Sequence, residues 1–234
     1  MGHLVIGFDA DDTLWHNETL FSLTQDKFQQ LLEPYRQDTW TGRELFETEI
    51  RNLDYFGYGI KGFTLSMIET AIEVTNGQVA ARDIQQIIDF AREMLRAPVQ
   101  LIEHAAAVVS SLAQTHMLML ITKGDLFDQE SKIAQSGLAE YFTHVEIVRD
   151  KTPAVYQALL DKHHIAPGQF VMVGNSVRSD VLPVVKIGGR AVHIPYHITW
   201  AHETIAQPEE HSSYVELEHI GQLPAYIEQL HSTS

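Results

Sequence analysis

The stretch Leu4-Val5-Ile6-Gly7-Phe8-Asp9-Ala10-Asp11-Asp12-Thr13-Leu14 sets an apolar run directly against three carboxylates. Leu4 to Phe8 reads as a buried strand, since five mostly apolar residues end abruptly at a polar cluster. Charge left unpaired at the tip of a core strand is costly, so a run of acids there implies a positive partner among them. Alternate residues of an extended segment face the same way. Asp9 and Asp11 are therefore expected to point at one spot, with Asp12 directed elsewhere. Two hard oxygen ligands converging at a strand end suit Mg2+. The plainer alternative is a solvated acidic turn. Thr13 anchors the loop by hydrogen bonding or caps a turn.

Three further apolar runs end in particular polar residues. Residues 117–121 lead into Thr122-Lys123-Gly124, and the run around 145–148 precedes Lys151. Residues 170–173 lead into Gly174-Asn175-Ser176, with Asp180 shortly after. Helical stretches lie between them, at about 103–114, 125–136 and 153–164, and another begins near Asp180. A last strand is expected at 190–194, closed by Pro195. Strands alternating with helices imply an α/β fold with a parallel sheet and right-handed crossovers. Ligands in such sheets bind beyond the C-terminal ends of the strands, where all four polar segments fall.

Residues 17–98 break this rhythm. Helical runs are expected at 20–32, 44–53, 65–75 and 83–96, and Ile84, Ile87, Ile88, Ala91 and Leu95 fall on one helical face. No strand pair stands out, so this segment reads as an inserted, mostly helical lobe. Its aromatic and glycine-rich stretch, Tyr55-Phe56-Gly57-Tyr58-Gly59-Ile60-Lys61-Gly62-Phe63, reads as a tight loop. That loop either meets a substrate or packs by its aromatics between helices. Trp15 and His16 lie where the chain leaves for the lobe.

Four such segments in this order resemble the haloacid dehalogenase-like superfamily, most of whose members are Mg2+-dependent phosphatases. The resemblance implies a Rossmann-like parallel sheet core from residues 1–16 and 99–234, and a helical cap domain from residues 17–98. By the same resemblance Asp9 is the nucleophile that forms an aspartyl-phosphate. Asp11 is the general acid–base that protonates the leaving alcohol and then activates water. Thr122, with Lys123 beside it, holds phosphate oxygens, the alternative for Lys123 being a solvent-facing side chain. Lys151 binds phosphate as well and offsets the negative charge around the nucleophile. Asp9, Asp11, Asn175 and Asp180 form the Mg2+ site.

This chain departs from the family pattern at two positions. Asp12 stands where glycine is common, and Asn175 stands where the family usually has an acid. An amide oxygen ligates Mg2+ without contributing charge, so the choice between Asn175 and Asp180 as direct ligand stays open. Arg178 either pairs with an acid or stays on the helix surface. The expected function is Mg2+-dependent hydrolysis of the phosphomonoester of a small metabolite. A phosphosugar mutase is an alternative within the superfamily. A dehalogenase is disfavoured because water there attacks an ester, leaving no alkoxide for Asp11 to protonate. A binding or regulatory protein that has lost turnover is the alternative from a different class, and Asn175 is its best support.

Composition narrows the partners. The formal net charge is −15, which opposes broad binding to nucleic acid or an anionic membrane. A small phosphorylated substrate stays compatible, because a metal and a lysine reverse the sign locally. Cysteine is absent, which excludes disulfides and thiol catalysis. No apolar stretch reaches the ~18 residues of a membrane span, and no basic segment leads into a signal-type core. A cytoplasmic location is the expectation. The 13 histidines show no HExxH spacing and are not expected to bind zinc. Nothing in the sequence sets the oligomeric state.

Overall fold

The computed structural model describes residues 4–35, 43–204 and 214–232. In chain order it contains β1 (Val5–Phe8), α1 (Glu18–Leu32), α2 (Glu44–Phe56), α3 (Ile60–Val74), α4 (Ala81–Arg96) and α5 (Ala105–Leu112). Then come β2 (Met117–Lys123), α6 (Leu126–Ser136), β3 (His144–Val148), α7 (Pro153–Lys162) and β4 (Phe170–Gly174). Last are α8 (Leu182–Lys186), β5 (Arg190–His193), β6 (Val215–Glu216) and α9 (Leu223–Ser232). The chain divides into two compact units. One takes in the chain up to Glu18, Val99–Lys123 and the chain from Glu130, and the other Thr19–Pro98 with Gly124–Gln129.

The first unit is built on one parallel sheet of order β3-β2-β1-β4-β5-β6. Its strands alternate between two cores, as period-two geometry requires. Ile6, Phe8, Leu118, Leu120, Val171 and Val173 face a core shared with α5 and α9. Val5, Met119, Ile121, Phe170 and Met172 face the opposite core, shared with α7 and α8. Burying each such side chain contributes about 1.5–3 kcal/mol, so β1 is held from both faces. Phe8 pairs with Leu120 on one side and Val173 on the other. The segments that follow β1, β2 and β4 therefore leave the sheet at the same end. The chain order reverses between β2 and β4 about β1, which is the switch point where open α/β sheets bind ligands.

The second unit is helical. Phe28, Leu32, Leu45, Ile60, Phe63, Met67, Ala71, Ile87, Ala91 and Met94 form its core. On α4 the inward face is Asp83, Ile87, Phe90, Ala91 and Met94, while Leu95 is exposed. Leu95 thus falls outside the apolar face expected for it, because Phe90 and Met94 centre that face elsewhere. The expected loop over Tyr55–Phe63 is shorter than its composition suggests. Tyr55 and Phe56 end α2, Ile60 already begins α3, and only three residues turn the chain. Gly57 and Gly59 make that possible with φ values of 69° and 104°. Lys61, in the first turn of α3, pairs with Asp125 at 2.8 Å.

Other boundaries follow from local chemistry. Thr152 caps α7 by accepting from the Val155 N–H at 3.3 Å, and Pro153 takes the first helical position. The helix expected from Asp180 starts earlier, as a wide π-type turn over Val177–Val181 that runs into α8. No helix among the described residues is long and apolar enough to cross a membrane.

Candidate functional site

Asp9 is the first residue past β1. Its N–H extends the sheet ladder by donating to the Val173 carbonyl at 2.9 Å, so its backbone is fixed by β4. Its carboxylate is buried. Lys151 Nζ donates to Oδ1 at 2.5 Å, and the Thr13 hydroxyl lies 2.9 Å from Oδ2. The same ammonium donates to Asp180 Oδ1 at 2.7 Å. One buried lysine therefore bridges two buried carboxylates. Burial pushes the Asp9 carboxyl up to about 7; Lys151 opposes this and Asp180 adds to it. For Lys151 burial disfavours the ammonium, but Asp180 and Asp9 outweigh it and hold the amine well above its usual range.

The turn after β4 is shaped around Asp180. A Cβ on Gly174 would lie 2.2 Å from Asp180 Oδ2, so only glycine leaves the carboxylate its place. The Ser176 N–H donates to that oxygen at 3.0 Å, and the Asp180 N–H returns to the Ser176 carbonyl at 2.8 Å. The Ser176 hydroxyl accepts from the Ser179 N–H at 3.0 Å, closing the turn. Asn175 Oδ1 lies 3.3 Å from the Thr13 hydroxyl. That hydroxyl has one proton, and the nearer, charged Asp9 is the better acceptor. The Asn175 carbonyl lies 3.1 Å from His193 Nε2 at the end of β5. Arg178 donates to the His202 carbonyl at 2.5 Å, the structural alternative of the two expected for it.

Asp11 and Asp12 part from Asp9. Both oxygens of Asp11 accept from Lys132 Nζ at 2.8 Å, and Oδ1 also accepts the Trp15 indole N–H at 2.7 Å. The carboxylates of Asp9 and Asp11 are near enough for Asp11 to add to the rise in the Asp9 pKa. Different lysines hold them, however, because the extended geometry ends with β1. The next residues form a turn with Asp12 at φ 63°. Asp12 accepts from the N–H groups of Asn17 at 2.8 Å and Glu18 at 3.0 Å, at the start of α1. The residue that stands in place of the family's common glycine thus keeps a left-handed backbone and adds a helix cap. Burial pushes its carboxyl up to about 6, against the pull of those two N–H groups.

Thr122 is buried at the C-terminal end of β2. Lys123, next to it, donates to the Ser179 hydroxyl at 3.0 Å and pairs with Glu203. Glu203 Oε2 accepts from the Ser176 hydroxyl at 2.5 Å and the Ser179 hydroxyl at 2.7 Å. Burial alone would raise the Glu203 carboxyl, but Lys123 and the two hydroxyls bring it down to about 2.

The expected residues are therefore divided. Asp9, Lys151, Asp180 and Thr13 form one hydrogen-bonded cluster with Asn175 beside Thr13, Asp11 is held by Lys132 and Trp15, Lys123 is held by Glu203, and Thr122 lies buried next to Lys123. Among the described residues no three side chains of His, Cys, Asp or Glu are grouped closely enough to hold a metal ion.

A family model for haloacid dehalogenase-like hydrolases matches residues 4–188, a span that includes all four strand-end segments. The chain belongs to this family. A haloacid dehalogenase-like family hydrolase from Xanthomonas campestris is 40% identical with a TM-score of 0.87, over 99% of this chain and 93% of that one. Human N-acylneuraminate-9-phosphatase is 26% identical over 129 residues, 53% of this chain and 52% of that protein. The glyceraldehyde 3-phosphate phosphatase of Pyrococcus furiosus is 28% identical over 120 residues, 49% of this chain and 48% of that protein. The chain thus spans about half the length of the curated relatives it matches.

For this haloacid dehalogenase-like hydrolase, sequence reasoning misses Lys132 and Glu203, and it misses the indole of Trp15 as a donor to Asp11. Lys132 lies 121 positions from its partner, on a helix that carries no motif of its own. Glu203 follows β5 by ten residues, in a stretch that carries no motif.

Proposed function

We propose that this chain hydrolyses the phosphate monoester of a small metabolite, with Mg2+ as cofactor, through an aspartyl-phosphate on Asp9. The observation that carries this reading is the buried Asp9–Lys151–Asp180 cluster at the switch point of a parallel sheet, with Asp11 on the same loop. The names of both curated relatives, which are phosphatases, support it.

The donor chemistry suits a hard divalent cation, although in this structure the three carboxylates are not grouped around one point. Asp9, Asp11, Asn175 and Asp180 offer only oxygen, and around Lys151 two carboxylates face one ammonium. These four residues would hold the ion. When bound, it would neutralise phosphate charge and bring the nucleophile and phosphorus together. The chain's own groups perform the remaining steps. An Asp9 carboxylate oxygen attacks phosphorus while the bond to the ester oxygen breaks. Asp11 gives its proton to that leaving oxygen. Asp11 then takes a proton from the water that attacks the aspartyl-phosphate, releasing inorganic phosphate and restoring Asp9. Lys151 keeps the Asp9 carboxylate in place and stabilises the transferred group. Thr122 presents its hydroxyl and neighbouring N–H groups to phosphate oxygens.

The test is hydrolysis of p-nitrophenyl phosphate with and without Mg2+. The reading requires activity that EDTA abolishes and that Asp9→Asn lowers to background. Activity surviving either change overturns it, and a chain with no activity on any phosphorylated metabolite would favour the regulatory alternative. A screen of nucleotides, sugar phosphates and phosphoglycolate then identifies the substrate.

A further inference from the structure

We infer that Glu203 is a positioning residue that holds the turn after β4 in the shape that presents Asn175 and Asp180 to a divalent cation. The inference rests on the metal-dependent reading above and adds a residue outside its four motifs. Glu203 belongs to a short helical turn, Ala201–Glu203. Its side chain is 12% exposed, and both its oxygens are engaged. One faces Lys123 at the end of β2. The other accepts the hydroxyls of Ser176 and Ser179, the two serines whose backbone and side chains close the turn.

The chain of support to the proposed ligands is short. The Ser176 N–H holds Asp180 Oδ2, and Ser176 directly follows Asn175. A carboxylate accepting two hydroxyls on one turn fixes both serine rotamers at once. The hydrogen bonds are charge-assisted, the stronger class. Arg178, between the serines, donates to the carbonyl of His202 and ties the same two segments a second time. Lys123 serves as counter-ion, and it also donates to the Ser179 hydroxyl at 3.0 Å. With its carboxyl brought down to about 2, Glu203 stays ionised across the working range of pH. A residue meant only to neutralise Lys123 would need no contact with the turn; Glu203 makes two. Partners that orient metal ligands typically set metal affinity through such contacts.

The test uses the full chain without substrate, and Mn2+ as the probe, followed by electron paramagnetic resonance. Glu203→Gln should weaken Mn2+ binding by about tenfold or more. It should also speed amide exchange more at Ser179 and Asp180 than in β1, whose amides feel only the loss of global stability. Glu203→Asp keeps the charge and should fall between the two. An unaltered Mn2+ affinity in Glu203→Gln, with the unmodified protein binding normally, overturns the positioning role. Faster exchange spread evenly over the chain overturns it too, since that marks general loss of fold. If Glu203→Gln does not fold, Ser179→Ala takes its place: Mn2+ binding weaker by about tenfold supports the role, and unchanged binding overturns it. An unmodified protein that binds no Mn2+ overturns the metal reading itself, and this inference with it.

Discussion

Replacing Lys151 with methionine should destabilise this protein more than replacing any exposed lysine. The Lys151 side chain is 2% exposed, and its ammonium lies 2.5 Å from Asp9 and 2.7 Å from Asp180. Removing one partner of a buried ion pair costs about 3–5 kcal/mol, because a charge is stranded away from water. Here one ammonium serves two carboxylates, which places the cost near the upper end. In a chain of this size each kcal/mol moves Tm by about 2–4 °C, so Lys151→Met should melt roughly 10–20 °C lower at neutral pH. The assay is circular-dichroism melting in EDTA, with Lys162→Met as control. Lys162 is 58% exposed in its pair with Glu146, where about 0–1 kcal/mol is at stake. The pH dependence has a definite sign. Without the lysine, the Asp9 carboxyl, already pushed up to about 7 by burial, loses the partner that opposes this and rises further above its unfolded value. Groups of that kind favour folding more as pH falls, so the gap to the unmodified protein should narrow on acidification. A melting change no larger than that of Lys162→Met, or a gap that widens towards acid, would refute the reasoning.

Asp11→Asn should leave folding intact but lower turnover of alkyl phosphates by about 10²–10⁴-fold, and that of p-nitrophenyl phosphate far less, since a good leaving group needs no proton; equal losses on both substrates would remove its acid role. Lys132→Met frees both oxygens of Asp11 from their 2.8 Å contacts and should show the same leaving-group dependence in milder form, read from kcat across a series of esters. Asn175→Asp adds a charge beside the proposed ligands, so the Mg2+ concentration for half-maximal activity should fall; an unchanged or raised requirement in a Mg2+ titration would place Asn175 outside the metal shell. Lowering of the Glu203 carboxyl from its ordinary 4.5 to about 2 corresponds to about 3 kcal/mol of stability, present above pH 4.5 and lost as pH falls towards 2. Glu203→Gln should therefore be less stable than the unmodified protein by up to that amount at pH 7, and the difference in urea midpoints should shrink through that acid window.

The parts legible in the sequence are those governed by short-range rules. Five strands stand out because four are apolar runs that lead into polar residues and the fifth is closed by Pro195, and their parallel pairing follows from the helices between them. The sixth strand, Val215–Glu216, is two residues long, too short to carry a period, and α9 has no motif beside it. α3 begins at Ile60 rather than 65 because two glycines hide a helix start that has no side-chain cap. Asp9, Lys151 and Asp180 are legible as a set because each follows a strand, and parallel strands deliver their ends to one side. The partners of those residues are not legible. Trp15 reads as an apolar body until folding aims its indole N–H at Asp11. Lys132 and Glu203 are ordinary surface-type residues until long-range packing sets them against the loops.

On the proposed phosphatase reading, the charges around these loops show why a protein of net charge −15 would need a metal to accept a phosphate. Among the described residues, Asp9, Asp11, Asp180 and Glu203 pair with three lysines, 151, 132 and 123, each already engaged with a carboxylate. The lysines hold the acids in place, but between them they leave no surplus of positive charge. A phosphate dianion approaching Asp9 therefore meets a site that is neutral at best. Burial sharpens the repulsion, because the low dielectric strengthens every unbalanced charge. A divalent cation shared by Asp9 and its neighbours reverses that balance, which a further lysine could do only by displacing an existing pair. Asn175 fits the same logic. As an amide it offers an oxygen without adding a fifth negative charge, so repulsion of the incoming phosphate stays lower while metal affinity falls. Raising metal affinity by Asn175→Asp should accordingly weaken the hold on phosphate once Mg2+ is saturating, visible as a higher KM.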